Sequence, residues 1–142
     1  MAVGSSSKSP NNIESKHMNT LVVDDSSLIR CVIKRALVEL GVPICDEAAD
    51  TPQALEMIQY TNYHLVIVDW NMPGGSGIDV INALRSAGNK CPIVMQTTNA
   101  TKSFIMEALQ AGANDYILKP FNTVDLVEKL EVHVCNAAMV AL

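Results

Sequence analysis

Short apolar runs alternate with longer amphipathic stretches along the chain from Leu21 onward. Runs of this length, continuous in Val, Ile and Leu, are typical of strands that are buried on both faces of a parallel sheet. We predict five such strands, at residues 21–23, 43–48, 65–69, 92–96 and 114–118, of which the second is the weakest. The pattern therefore predicts a sheet with both faces covered.

The first stretch between strands has the three- and four-residue apolar spacing of an amphipathic helix. Ser26 or Ser27 is expected to cap this helix, and Gly41 is expected to end it. Its apolar stripe, expected to lie in the core, consists of Leu28, Ile29, Val32, Ile33, Ala36, Leu37 and Leu40.

Four further helices continue the alternation. The second helix is predicted to begin with Thr51 as its cap and Pro52 at the first helical position. The others are predicted after a glycine-bearing loop at 71–77, over 102–111, and from about residue 123 to near the C-terminus. Five βα units with such short connections predict an α/β fold, with a doubly wound, five-stranded parallel sheet between two layers of helices.

The first 17 residues have a different composition from the rest. They are rich in Ser, Asn and Lys and carry too few apolar residues to bury a face. We expect residues 1–17 to be a disordered leader or a remnant of expression cloning, and residues 18–142 to form one domain.

Charge and composition exclude several classes of function. A net charge of -5 and the absence of any Lys/Arg cluster argue against a nucleic-acid-binding surface. No apolar stretch reaches the length of a membrane span, and the first residues have no signal-peptide core, so we expect a cytoplasmic protein. The four cysteines are scattered singly, which favours small core residues over disulfides or a zinc site; they are Cys31, Cys45, Cys91 and Cys135.

Charged residues stand where three of the predicted strands end. Asp24 and Asp25 follow the first strand, and Asp69 ends the third. Lys119 follows the fifth strand. Because the carboxyl ends of parallel strands share one edge of a sheet, we expect these side chains to lie close together. Clustered carboxylates repel one another, so such a site favours a divalent cation.

Four motifs at these strand ends together resemble one family. They are VVDDSS at 22–27, VDWNMPGGSG at 68–77, MQTT at 95–98 and YILKPF at 116–121. In this order they resemble the receiver domain of two-component response regulators, most closely the single-domain chemotaxis receivers of the CheY type. The resemblance extends over about residues 19–139 and implies a flavodoxin-like three-layer sandwich and a switch activated by phosphorylation.

The resemblance implies a role for each carboxylate. Asp69 would be the phosphoacceptor, taking a phosphoryl group from a phosphohistidine of a histidine kinase. Asp25, Asp69 and the backbone carbonyl of Asn71 would hold Mg²⁺, for which Mn²⁺ is expected to be able to substitute. Asp24 would complete the metal site by orienting a metal-bound water. The chain would thus be a signalling protein that assists its own phosphorylation and slow dephosphorylation, and not an enzyme.

Three further residues have implied roles. Lys119, followed in the family by a cis bond to Pro120, would neutralise charge on the phosphoryl oxygens. Thr97 would then hydrogen-bond the bound phosphoryl group. Thr97 and Tyr116 would form the switch, because the tyrosine ring moves into the space that the threonine leaves.

Output in the family comes from the face formed by the fourth helix, the fifth strand and the fifth helix. The residues expected on this partner face are Ile105, Leu109, Tyr116 and Val127. Expected partners are a chemotaxis-type histidine kinase and a downstream protein such as a flagellar motor switch component, with a phosphatase as a further candidate. Direct nucleic-acid binding and membrane insertion are not expected. A monomer is expected, or a weak dimer when phosphorylated.

Two positions depart from the common family pattern. Thr98 stands where a smaller residue is usual, and Asn99 stands where an acidic residue is frequent. With Asn71 they flank the path of the attacking water, so they are expected to tune the phosphate lifetime. We hypothesise slower intrinsic hydrolysis than in an average receiver.

Other interpretations remain open from the sequence. The start at Met18 and the helical pattern that runs to Leu142 favour a free-standing receiver, and the alternative is a receiver excised from a larger transcriptional regulator or hybrid histidine kinase. A phosphatase of the aspartyl-nucleophile type is disfavoured, because it needs a second Asp two residues after the nucleophile, where this chain has Asn71. Asp24 could serve only as a cap for the helix that follows it.

Overall fold

Five parallel strands and five helices alternate along residues 18–141. The computed structural model describes residues 18–141, so the interpretation of residues 1–17 lies outside the described residues. The strands are β1 (Thr20–Val23), β2 (Asp46–Ala48), β3 (Leu65–Asp69), β4 (Ile93–Thr97) and β5 (Asp115–Leu118). The helices are α1 (Ser27–Glu39), α2 (Thr51–Tyr60), α3 (Gly77–Ser86), α4 (Lys102–Ala111) and α5 (Thr123–Ala141).

The strands form one sheet in the order β2-β1-β3-β4-β5, and every neighbouring pair is parallel. In the register of β1 and β3, Val23 lies opposite Val68. Asp24, which follows β1, and Asp69, which ends β3, therefore lie at the same level of the sheet. This topology confirms the predicted doubly wound α/β fold.

Each face of the sheet has its own hydrophobic core. On one face Val66 and Val68 belong to a cluster with residues of α2, α3 and α4. On the other face Val22 and Ile67 belong to a cluster with residues of α1 and α5. Because both faces are buried, the strands are apolar at consecutive positions. No helix in the described part of the chain is long and apolar enough to cross a membrane.

Two details of the helices differ from the prediction. The cap of α2 is Asp50, whose Oδ1 accepts a hydrogen bond from the Gln53 N–H at 2.7 Å. Thr51, predicted to be the cap, is the first helical residue, and its N–H donates to the carbonyl of Pro73 at 3.2 Å. On α1, the prediction that the whole apolar stripe lies in the core is wrong for Leu28, which is 71% exposed.

A short hairpin, Asn71–Met72 paired with Gly75–Ser76, connects β3 to α3. Its turn includes Gly74, whose φ of +78° is strained for other residues. At Gly77, a Cβ would lie 2.3 Å from the carbonyl oxygen of Asp69. Only glycine therefore allows α3 to begin this close to the end of β3, which fixes the backbone after Asp69.

Candidate functional site

Three carboxylates meet at the carboxyl edge of the sheet. Asp24 is 0% exposed and Asp69 is 6% exposed, whereas Asp25 faces solvent. One carboxylate oxygen from each lies within 4.8 Å of the others. Oxygen donors at this separation fit a hard divalent cation such as Mg²⁺, which prefers carboxylate ligands. The predicted convergence of these three residues is confirmed.

Lys119 reaches two of these carboxylates from the end of β5. Its Nζ lies 3.0 Å from Asp24 Oδ2 and 3.3 Å from Asp69 Oδ1. The peptide bond from Lys119 to Pro120 is cis, as expected. The Lys119 N–H also donates to the carbonyl of Thr97 at 2.7 Å, so the ends of β4 and β5 are held together.

Burial and neighbouring charges shift the pKa values of Asp69 and Lys119. Burial raises the pKa of Asp69, and the neighbouring charge of Asp24 raises it further against the opposing effect of Lys119. Burial alone would lower the pKa of Lys119, but its hydrogen bond to Asp24 and the charge of Asp69 outweigh burial and raise it. Lys119 is therefore cationic at neutral pH, and one ammonium faces three carboxylates.

The hydroxyl of Thr97 is bound within its own loop. Thr97 Oγ1 accepts from the Asn99 N–H at 2.9 Å and donates to the Asn99 carbonyl at 3.2 Å. Asn99 Oδ1 in turn accepts from the Thr101 N–H at 2.9 Å. Thr97 is buried, Thr98 is exposed and Asn99 is half-buried. A move of the Thr97 hydroxyl toward Asp69 thus requires both of its hydrogen bonds with Asn99 to break.

The side chain of Asn71 is exposed in the hairpin that follows Asp69. Asn71 is two residues after Asp69 in the chain, and its backbone pairs with Ser76 in this hairpin. The metal role assigned to its carbonyl stays a prediction.

The predicted partner face is only partly available to a partner. Tyr116 and Ile105 are half-buried, and Leu109 is exposed. The ring of Tyr116 packs against the core on the α4 side, with Lys129 Nζ 5.3 Å from its centroid. Val127 is half-buried against the core on the α1 and α5 side, so it contributes mainly to packing.

Exposed apolar residues missed by the sequence interpretation extend this face. Leu118 on β5 and Val132 on α5 are 45% and 55% exposed and line a groove of about 520 Å³. Leu118 projects from the opposite face of the sheet to its buried neighbour Ile117, but the sequence gives no signal that Leu118 is exposed, because helices cover both faces. The groove also contains the carboxylates of Asp115 and Glu128.

Two further contacts at the site join residues distant in sequence. The rings of Trp70, next to Asp69, and Phe104, on the first turn of α4, pack with centroids 5.0 Å apart. The guanidinium of Arg30 on α1 donates to the backbone carbonyl of Asp24 and also binds Glu47 at 2.8 Å. Helical spacing alone gives no signal for either contact.

Comparisons with known proteins agree with the geometry. Residues 20–131 match the response regulator receiver domain. The chain is 41% identical over 121 residues to the chemotaxis protein CheY-3 of Vibrio cholerae, covering 84% of this chain and 93% of that protein.

Solved structures agree in the same way. The chemotaxis response regulator CheY4 of Vibrio cholerae superposes with a TM-score of 0.75 at 32% identity, covering 81% of this chain and 97% of that one. The receiver domain of a sensor histidine kinase from Pseudomonas aeruginosa PAO1, solved with a magnesium ion in its active-site cleft, gives a TM-score of 0.72 at 29% identity. That match covers 83% of this chain and 98% of the other. The chain therefore belongs to the response regulator receiver family and is a CheY-like receiver of a two-component system.

Proposed function

We propose that this chain is a phosphorylation-activated switch in chemotaxis signalling. A histidine kinase phosphorylates Asp69, and the face formed by α4, β5 and α5 then binds a downstream protein, such as a flagellar motor switch component. The observation that carries this proposal is the position of Asp69: a buried carboxylate at a strand end, 3.3 Å from Lys119 and beside two other carboxylates.

Asp69 acts as the nucleophile. A carboxylate oxygen of Asp69 forms a bond to phosphorus while the phosphorus–nitrogen bond to the kinase histidine breaks, and the imidazole leaves. Little covalent chemistry is needed from other residues, because positioning and charge neutralisation dominate phosphoryl transfer. Lys119 supplies a cation that is already held beside Asp69.

Mg²⁺ fits the oxygen donors of Asp24, Asp25 and Asp69, as the related Pseudomonas aeruginosa receiver holds a magnesium ion in its cleft. When bound, the ion supplies positive charge that offsets the carboxylates and the transferred phosphoryl oxygens. The exposed Asp25 gives this position contact with solvent, so a metal ion can enter and leave.

Phosphorylation is transmitted through Thr97. The phosphoryl group adds negative charge that requires hydrogen-bond donors. Thr97 donates to this group after releasing the Asn99 carbonyl, and the loop into α4 changes with it. Tyr116, one strand away, takes up the space that Thr97 leaves. The exposed groove at Leu118 and Val132 lies on the same face, so a partner can detect the change there.

Phosphorylation by a small donor tests the proposal. The protein is incubated with acetyl phosphate and Mg²⁺, and its intact mass is measured. We expect the gain of one phosphoryl group in the wild type and none in Asp69→Asn. No gain in folded wild-type protein would refute the proposal. Capture of a motor component only in the presence of beryllofluoride, a mimic of the acyl phosphate, would test the output.

A further inference from the structure

Gln96 carries a buried amide that pairs with nothing in the described part of the chain. It is the next-to-last residue of β4 and is fully buried. Neither its side-chain nitrogen nor its side-chain oxygen has a hydrogen-bond partner among residues 18–141. Buried polar side chains are paired in the large majority of cases, and an apolar residue of similar size would avoid the penalty. A glutamine at this position therefore calls for an explanation.

The register places Gln96 directly beside Asp69. Gln96 pairs with Asp69 on β3 and with Ile117 on β5. Paired residues of parallel strands project from the same face of the sheet. Ile117 belongs to the core on the α1 and α5 side, so Gln96 and Asp69 project toward that side. Lys119, two residues after Ile117, projects the same way.

Lys119 crosses the end of β4 to reach its partners. It follows β5, whereas Asp69 ends β3 and Asp24 follows β1, and β4 separates β5 from β3. The ammonium nevertheless lies 3.0 Å from Asp24 and 3.3 Å from Asp69. The lysine side chain therefore extends across the strand that carries Gln96.

An ammonium group has three N–H donors. In this structure two carboxylates are available to it. Under the proposed function, Asp69 would lose its carboxylate charge on becoming an acyl phosphate, and Lys119 would exchange its present contacts with Asp24 and Asp69 for the phosphoryl oxygens. Any ammonium N–H that loses its acceptor in a buried site carries a penalty unless another acceptor is near.

We propose that Gln96 is a positioning residue for phosphoryl transfer, whose Oε1 accepts a hydrogen bond from Lys119 Nζ when the ammonium turns to the phosphoryl group. The inference rests on the proposed function, because it concerns the phosphorylated state of the same site. Before phosphorylation, Asp24 and Asp69 hold Lys119, and the Gln96 amide has no partner among residues 18–141.

The substitution Gln96→Met tests this role, because it keeps the length and approximate volume of the side chain and removes the amide. We expect the urea midpoint of unfolding to equal or exceed that of the wild type, since an unpaired buried amide is lost. We expect the affinity for beryllofluoride with Mg²⁺ to fall about tenfold, the effect of losing one hydrogen bond to a charged group. Affinity for Mg²⁺ alone should not change. Both affinities are measured from the fluorescence of Trp70, the one tryptophan of the chain.

Thr20→Val is the matched control. Thr20 Oγ1 is also buried and unpaired within residues 18–141, but it lies at the start of β1, away from Asp24. This variant should gain stability and bind beryllofluoride as the wild type does. If Gln96→Met unfolds more easily than the wild type, or keeps full beryllofluoride affinity, Gln96 has no positioning role. If the wild type itself binds no beryllofluoride, the proposed function fails as well.

Discussion

Replacing the phosphoacceptor should stabilise the protein. Asp69→Asn removes one negative charge from a cluster in which three carboxylates face one ammonium. Lys119 keeps its shorter contact with Asp24, at 3.0 Å, so the variant does not leave an unpaired buried cation. We expect this gain in the free energy of unfolding in metal-free buffer at neutral pH, where no divalent cation offsets the repulsion among the carboxylates.

The size of the gain follows from the distances. Two unit charges 4.8 Å apart repel by about 3.5 kcal/mol at an effective dielectric constant of about 20. On the same scale the contact of Asp69 with Lys119 at 3.3 Å attracts by about 5 kcal/mol. Asp24 repels the Asp69 carboxylate at about this strength. Asp25 repels it less, because solvent screens the exposed Asp25 charge, and the burial of ionised Asp69 adds a desolvation penalty. We expect a net gain of about 1–2 kcal/mol in Asp69→Asn.

Urea unfolding followed by circular dichroism measures the difference in the free energy of unfolding between wild type and variant. Glu107→Gln, at an exposed position of α4, is a control whose stability should change little. The folded protein holds the Asp69 proton more tightly than the unfolded chain, because its pKa is raised. The gain should therefore be largest above the folded pKa and disappear as the pH falls toward the ordinary value of 3.8. Saturating Mg²⁺ should also remove it. A variant that is less stable than the wild type without metal at neutral pH would refute the electrostatic reasoning.

Three other variants test separate parts of the structure. Phe104→Ala should lower the free energy of unfolding by about 1 kcal/mol and shift the emission of Trp70 to the red, because the ring contact is lost; unchanged emission would contradict it. Thr98→Ala should shorten the acyl-phosphate lifetime, measured by phosphate release after donor removal, and a wild-type half-life of a few seconds would count against slow hydrolysis. Burial raises the pKa of Asp115, but hydrogen bonds, led by that of His133 at 2.8 Å, outweigh burial and lower it. Asp115→Asn should therefore cost about 1 kcal/mol in urea unfolding at neutral pH, and the cost should vanish as the pH falls below 3.8 through the lowered folded pKa; an equal cost at every pH would argue against the lowered pKa of Asp115.

The convergence of Asp24, Asp69 and Lys119 could be predicted because it depends only on topology. Continuous apolar strands require a parallel sheet, and parallel strands bring their carboxyl ends to one edge. A polar residue directly after such a strand must then lie at that edge. Alternation within the strand, together with the register, decides that the three side chains share a face.

Contacts that depend on tertiary packing could not be predicted. Asp50 and Thr51 are both good helix caps, and the choice is made by the hydrogen bond from Thr51 to Pro73, which lies in the hairpin after β3. Val127, Leu130 and Val134 share the apolar side of α5 at helical spacing, and Val132 lies off that side, but only the folded chain shows that Val132 lines a groove with Leu118. Gln96 belongs to the MQTT motif, so the sequence places it near the end of β4. Only the folded chain shows that the Gln96 amide has no hydrogen-bond partner among residues 18–141.

The central claim is that Asp69 is the residue that receives the phosphoryl group. Its most direct test is to phosphorylate the wild type with acetyl phosphate and Mg²⁺ and to reduce it with borohydride, which converts an aspartyl phosphate to homoserine. Peptide mass spectrometry then locates the converted residue. We expect homoserine at position 69 alone, and only when Mg²⁺ was present. Conversion at Asp24 or Asp25, or a stable phosphate on Thr97, would contradict the claim.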